Sequence, residues 1–369
     1  MAVPVYFANL RAKSPKTSQV AKLERLIARV GMDKFVKPGD LTAIKIHFGE
    51  LGNDAFVSPV FARKIADAVR AAGAQPFFAD TNTLYTGSRS NAVDHYETAI
   101  AHGFDFAVCG APVLIADGLK SGDWREVEIG KKWFQTVKIA GDFADADSLV
   151  VVSHFKGHNQ AGFGGAIKNL AMGCAPKAGK RDQHSLRFVV KREKCVGCLA
   201  CASVCPAQAI AAVEGKAEID KAACIGCAEC QGRCPAGAIH PSWDVDITEF
   251  TEKLVEYAYG AVLKKKGKVL YITFVKDVVP DCDCTPWTDV PVVADIGLLA
   301  STDPVAIDQA AYDLVTAAPV LTGSLLDGKA GAGDDKFAAI HPETRGLVQL
   351  KHGEEVGLGV RKYELIKIA

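Results

Sequence analysis

Apolar positions in the first hundred residues switch between the period of a strand and that of a helix. Val3 to Phe7 is a short apolar run that predicts a strand. Val20, Leu23, Leu26, Ile27 and Val30 then recur at helical spacing behind Thr17 and Ser18, and Gly31 ends the pattern. Leu41 to Phe48 predicts a second strand. Ser58 and Pro59 open a helix as N-cap and first-turn proline, with Phe61, Ile65 and Val69 on its apolar face and Gly73 past its end. Pro76 to Ala79 predicts a third strand that delivers Asp80, Thr81 and Asn82 to its C-terminal end. A helix near Ala92 to Ile100 and a strand at Phe104 to Cys109 complete the unit.

The alternation resumes near Trp124, with strands predicted at Gln135 to Ala140 and at the β-branched run Leu149 to Ser153. Beyond a cysteine-rich interruption, Asp246 and Glu249 form a capping-box pattern before Ile247, Phe250, Leu254, Tyr257, Ala258 and Ala261. Strands follow at Lys268 to Lys276 and Val290 to Leu299. Asp303 and Pro304 start a helix carrying Val305, Ile307, Ala310, Leu314 and Val315. Gly331 to Asp335 is a polar loop, and Tyr363 to Ile368 a last edge strand. Strands alternating with helices imply α/β architecture with mainly parallel sheets. The expected organisation is two doubly wound α/β domains, residues 1–118 and residues 119–188 plus 243–369, with a module inserted at 189–242.

The interruption reads CVGCLACASVCP from Cys195 to Pro206 and CIGCAECQGRCP from Cys224 to Pro235. This is the bacterial two-cluster ferredoxin run written twice, and it predicts an α+β module holding two [4Fe-4S] clusters. The fourth cysteine of each run serves the other cluster, so Cys195, Cys198, Cys201 and Cys234 form one ligand set and Cys224, Cys227, Cys230 and Cys205 the other. Gly197 and Gly226 allow the tight ligand loops, and Pro206 and Pro235 end them. A disulfide framework or paired zinc sites fit two such runs in tandem poorly.

Composition narrows the setting. The 369 residues are 49% hydrophobic, with 43 basic and 43 acidic side chains, so neither a nucleic-acid footprint nor a membrane-surface patch is expected. Basic residues do crowd the approach to the first run, from Lys177 through Lys180 and Arg187 to Lys194, as a dock for an acidic redox partner, a clamp for an anionic substrate or a solvated linker. No stretch approaches the length of an apolar membrane span, and MAVPVYFANLRAK lacks the features of a secretory signal. With twelve cysteines and no export signal, a reducing cytoplasm is the expected location.

Ahead of the cysteine runs lies SHFKGHNQAGFGGAIKNLAMGCAPKAGKRDQHS, from Ser153 to Ser185. Gly162, Gly164 and Gly165 form a strand-to-helix turn of the kind that offers backbone N–H groups to an anion, with Asn169 one turn further on. His154, Lys156, His158, Lys168 and His184 add imidazoles suited to acid–base or metal chemistry and lysines suited to nucleophile or clamp roles. His47, Glu50, Asp80 and Asn82 fall at two strand ends, where ligands bind in α/β sheets. In DCDCTPW, Cys282 and Cys284 are one residue apart and cannot easily bridge. In extended backbone the pair presents both sulfurs to one metal or acts as a redox pair; the plainer reading is two buried cysteines in a turn. Cys109 and Cys174 are isolated and read as core or loop residues.

Two resemblances follow from these residues. IKIHFGE (44–50), ADTNTLY (79–85), SHFKGHNQAGFGGAIKNLAMGC (153–174), DCDCTPWTDVPVVADIG (281–297) and STDPVAIDQA (301–310) resemble an uncharacterised iron–sulfur-centre family, a domain of unknown function with an inserted bacterial-type ferredoxin. The segment from His158 to Lys168 is similar to H-x-x-A-G-F-S-G-G-x-K of the nickel-pincer lactate racemases, with His184 sixteen residues beyond Lys168. Gly164 replaces that family's serine and Ala166 its second glycine, and the racemases lack the insertion. The resemblance implies Lys168 as cofactor anchor, His184 as metal ligand and His158 as acid/base.

The function expected is redox: two clusters pass electrons to or from a substrate, a further metal or an organic cofactor held in a cleft between the domains, near His158, Lys168 and His184. The alternatives are a ferredoxin-like carrier whose α/β part docks a redox partner protein, and a racemase-like enzyme with a metal cofactor anchored on Lys168 and purely structural clusters.

Overall fold

The computed structural model describes residues 2–368 apart from 86, 185, 186, 225, 227, 228 and 243–245. Cys227, one of the eight expected cluster ligands, lies outside the described residues. Eight strands form the main sheet: β1 (Val3–Asn9), β2 (Leu41–Lys45), β3 (Gln75–Asp80), β4 (Val113–Ile115), β5 (Ser148–His154), β6 (Val269–Val275), β7 (Gly297–Ser301) and β8 (Tyr363–Lys367). Their spatial order is β8-β1-β7-β6-β5-β2-β3-β4. All run parallel except β7, which is antiparallel to both β6 and β1.

The α/β class and the parallel character are as expected from the sequence. The sheet, however, does not divide near residue 118. Thr42 to Lys45 of β2 pair directly with Ser148 to Val151 of β5, and the buried hydroxyls of Thr42 and Ser148 lie 2.8 Å apart across that seam. Strand–helix alternation reads the same whether the strands close one sheet or two, so periodicity alone does not reveal the join.

The strands read as continuous apolar runs because both faces are covered. Leu149 and Val151 enter one core, whereas Val150 and Val152 enter the other. The second core is closed by α1 (Gln19–Val30) and α2 (Pro59–Ala71), which contribute Leu23, Leu26, Ile27, Phe61, Ile65 and Val69. The first is closed by α3 (Ala166–Gly173), α5 (Ile247–Leu263) and α6 (Pro304–Ala317), with α4 (Lys177–His184) alongside α5. The caps fall where the sequence places them: Ser18, Ser58, Asp246 and Asp303 each accept a backbone N–H from the first turn.

Three strands differ from expectation. Phe106–Cys109 is a turn of helix, because the Asp105 carboxylate accepts Val108 N–H at 2.7 Å and left-handed Gly110 closes it; the edge strand comes later, at Val113–Ile115. Thr136–Ala140 pairs with Trp124–Glu128 in a separate hairpin. The strand placed at Val290 to Leu299 begins at Gly297, after an irregular segment.

Between α4 and α5 the chain leaves the host. Arg187–Val190 and Ile239–Ser242 pair antiparallel as a stem, and Ile210–Val213 pairs with Lys216–Ile219 beyond it. This module has its own small core, including Phe188, Ala209, Ala217, Ile219 and Ile239 with Cys201, Cys224 and Cys230. Among the described residues no helix is long and apolar enough to cross a membrane.

Candidate functional site

The C-terminal ends of β2, β3, β5 and β6 open on one cavity of about 490 Å³. Lys45 comes from the end of β2 and Asp80 from the end of β3. His154 and Lys156 follow from β5, and Cys282 and Cys284 from the loop after β6. This is where an open parallel sheet binds ligands, since the loops beyond the strand ends diverge there. His47 and Asp80 line the cavity as anticipated. Glu50 and Asn82 stand behind it: Glu50 accepts Arg89 at 3.1 Å, and Asn82 donates to Asp117 at 2.9 Å.

Buried charges frame the floor. Lys45 lies 3.1 Å from Asp80, and Arg89 reaches both Glu50 and Asp80, at 3.1 and 3.5 Å. Burial alone would raise the Asp80 carboxyl; the charges of Lys45, His47, His95 and Arg89 instead hold it well below the usual range. Lys180 donates to Thr81 Oγ1, Asn82 O and Ala175 O and has no carboxylate among these partners; burial brings it down to about 8. Five cations, Lys45, Arg89, Lys156, Lys168 and Lys180, line the cavity against one lining carboxylate, Asp80, among the described residues. Counting Glu50 and Asp283 behind the wall still leaves a cationic surplus, which favours an anionic ligand.

The glycine-rich turn is built differently from expectation. Lys156–His158 pairs with Gly162–Gly164, and α3 follows. The first N–H groups of α3, on Ala166 and Ile167, go to the buried Asp308 carboxylate at 2.7 and 2.9 Å. They are therefore engaged within the fold. Gly164, Gly165 and Asn169 line the cavity; Gly162, at φ +78°, packs where a Cβ would lie 2.7 Å from Gly346 Cα. Asn169 donates to Val152 O and Ser153 Oγ and accepts Lys45 at 2.7 Å, locking the lysine in place. A Cβ on Gly157 would run into the Pro280 carbonyl, backbone against backbone. Gly157→Ala is expected to lower stability by about 1–3 kcal/mol, the usual cost of overpacking, read as a lower denaturant midpoint.

His158, Lys168 and His184 all line the cavity. His158 Nδ1 accepts N–H groups from Gln160 and Ala161, both at 3.1 Å, so in the neutral ring the hydrogen sits on Nε2. Burial, then Lys168 and Lys156, hold His158 well below the usual imidazole range. His184 stacks on Phe250 with centroids 4.7 Å apart, and burial and Lys168 press it down to about 4. Lys168 donates to Cys282 Sγ at 3.4 Å.

The paired cysteines sit on a turn rather than in extended backbone. Cys282 O accepts Thr285 N–H at 2.9 Å and Thr285 Oγ1 at 3.0 Å. Asp283 between them is fully buried, 2.7 Å from His154 Nδ1 and 3.0 Å from Lys156 Nζ. Burial would raise its carboxyl, but His154 and Lys156 hold it far down. His158, Cys282 and Cys284 bring three donor atoms within 4.8 Å of one another. Two sulfurs and an imidazole suit zinc. A metal-bound imidazole, however, donates its second N–H to an acceptor, and the Nδ1 of His158 faces donors. The Cys284 S–H bond to Cys282, with Lys168 beside it, holds the Cys282 thiol well below its usual range despite burial, and Cys284 is pushed up.

In the module, Cys195, Cys198, Cys201 and Cys234 line a narrow void with Val190, Leu199 and Ile239. Ala217 N–H points at Cys195 Sγ (3.5 Å) and Ala238 N–H at Cys234 Sγ (3.2 Å); Ala209 N–H does the same to Cys205 (3.3 Å). Three cysteines of the first run and the fourth of the second thus meet at one narrow space, with amides directed at sulfur, which is the donor set that cubane ligation would use. Cys224 and Cys230 are buried in the same core, and none of the described cysteines forms a disulfide. Leu84 both lines the cavity and packs on the module core.

Sequence reasoning missed Lys45, Arg89 and Asp283 and read Lys180 as part of a basic approach. Lys45 left a trace, a lone charge inside the apolar run from Ala43 to Phe48. Arg89 left none.

Residues 42–313 match the family described as Domain of unknown function (DUF362). The chain belongs to the DUF362 family. No curated protein matches it. Among solved structures, this DUF362 chain is similar to the lactate racemase apoprotein from Thermoanaerobacterium thermosaccharolyticum, with a TM-score of 0.37 at 13% identity over 73% of this chain and 50% of that one. It is also similar to a structural-genomics target from Thermotoga maritima, with a TM-score of 0.35 at 10% identity over 78% and 57%. The chain thus spans little more than half the length of the structures it matches.

Proposed function

We propose that this protein is an iron–sulfur oxidoreductase whose inserted module exchanges single electrons with a small anionic ligand in the sheet-end cavity. The observation that carries the reading is the grouping of Cys195, Cys198 and Cys201 with Cys234, the fourth cysteine of the other run, about one void. Cys205, Cys224, Cys227 and Cys230 would hold the second cluster. The clusters would supply one-electron steps. The host supplies the rest: Lys168 holds the anion, Lys180 and Arg89 add positive field from positions where their own N–H groups are engaged by the fold, His158 presents a hydrogen on Nε2, and Asn169 keeps Lys45 oriented.

The position of the module supports the reading over that of a carrier with a passive host. Its stem begins just after His184 and ends shortly before Phe250, and these two cavity residues stack on each other. A docking scaffold needs no such buried cationic cavity. In protein purified without oxygen, about eight irons per chain are expected. Dithionite-reduced protein should be reoxidised by one member of a panel of small anions that carry a reducible group, such as 2-oxo acids, α,β-unsaturated carboxylates and carboxylate-bearing disulfides, and Lys168→Ala should slow that reoxidation about tenfold or more. Reoxidation by partner ferredoxins alone, indifferent to Lys168, would make the protein a carrier. A covalent cofactor on Lys168 would make it racemase-like.

A further inference from the structure

We propose that Cys282 and Cys284 form a reversible dithiol–disulfide couple in the cavity wall, with Cys282 the sulfur that attacks a small anionic disulfide. The geometry suits such a pair, since the two sulfurs lie within 4.8 Å of each other. The turn closed by Thr285 brings both sulfurs to the cavity, while Asp283 between them points away and is pinned by His154 and Lys156. The anchor fixes the backbone and leaves the two sulfurs as the groups that change partner.

The pair is asymmetric. Lys168 Nζ is hydrogen-bonded to Cys282 Sγ at 3.4 Å, which favours the thiolate on that sulfur. The cationic surplus around it selects a disulfide bearing carboxylates. A bridge between cysteines one residue apart closes a small, strained ring, which belongs with the easily reduced disulfides that turn over rather than the structural ones.

The steps balance. The Cys282 thiolate attacks one sulfur of the substrate, forming a mixed disulfide and expelling the other half as a thiolate. Cys284 gives up its proton to that thiolate and attacks the Cys282 sulfur, releasing the second half of the substrate as a thiolate, which takes a proton from solvent. The Cys282–Cys284 disulfide remains. Two electrons and two protons restore the dithiol. On the function proposed above, the electrons come one at a time from the reduced clusters; a dithiol reagent replaces them in vitro.

The tryptic fragment from Asp277 to Lys329 contains these two cysteines and no other, so differential alkylation and mass spectrometry read the pair apart from the cluster cysteines. Anaerobic holoprotein is treated with oxidised glutathione and then dithiothreitol. The fragment is expected to lose two hydrogens as an internal disulfide and regain them. Cys284→Ser should stop at a glutathione adduct on Cys282. Lys168→Met should slow adduct formation about tenfold, and neutral hydroxyethyl disulfide should react about tenfold more slowly than glutathione disulfide. Two thiols that stay reduced at every glutathione ratio, an adduct on Cys284 in place of Cys282, or a stoichiometric zinc that blocks alkylation would overturn the proposal. Dithionite, added with no thiol, separates the two ideas. If the disulfide forms with glutathione but reduced clusters leave it intact, the couple stands and the electron path from the module fails.

Discussion

Asp283→Ala is expected to lower stability by about 3–5 kcal/mol, the cost of stranding buried partners of a removed charge. The carboxylate has no exposed surface and meets His154 at 2.7 Å and Lys156 at 3.0 Å. His154 Nε2 already faces two carbonyls, Lys276 O and Asp277 O, both at 2.9 Å, so the ring has no second anion to turn to. A fall in denaturant midpoint at constant slope would register the loss. Asp283→Asn keeps the shape and should fall in between. Stability unchanged in Asp283→Ala would mean that the His154–Asp283–Lys156 cluster contributes nothing net. The pH dependence has a defined sign. Asp283 and Asp80 both have folded values below their unfolded ones, so the stability they contribute is complete above the unfolded carboxylate range, about pH 4, and is lost as pH falls towards the folded values. The acid limb of the stability curve should be shallower in Asp283→Ala than in the parent.

Cys234→Ser should remove about half the iron or more from anaerobically purified protein, from about eight atoms per chain to about four or fewer. Cys234 sits in the second run but lines the void with three cysteines of the first. On the proposed ligand assignment, its loss would open one cluster directly and free the segment that positions Cys224 and Cys230. The host should be spared. Its cores are separate from the module's, so the main thermal transition should persist while the visible absorbance of the clusters falls. Full iron retention in this variant would exclude the crossed ligand assignment.

The parts of the fold that were legible in the chain are those where side-chain period and capping chemistry agree. Ser58–Pro59, Asp246 and Asp303–Pro304 mark helix starts that the structure confirms, because a carboxylate or hydroxyl at an N-cap competes with little else. Phe104 to Cys109 misled because a short apolar run suits a strand or a helix turn equally, and Asp105 decided it. The join between the two halves of the sheet was hidden for a different reason: pairing between β2 and β5 spans about a hundred residues, and no local pattern encodes it. His158, Lys168 and His184 were brought to one cavity as their spacing suggested. The anion-binding amides expected at the glycine turn were not foreseeable as engaged, since Asp308, which takes them, lies far along the chain.

The paired stem, Arg187–Val190 against Ile239–Ser242, has a consequence for how the host bears the module. A segment whose two ends lie side by side is, to its host, no more than an elongated hairpin. The strands that precede and follow it, β5 and β6, are already neighbours in the sheet and keep their register whatever hangs between them. A chain without the module would keep the sheet and its register, and the loss would be felt where the insertion meets the cavity, at Leu84 and at the stacked His184 and Phe250.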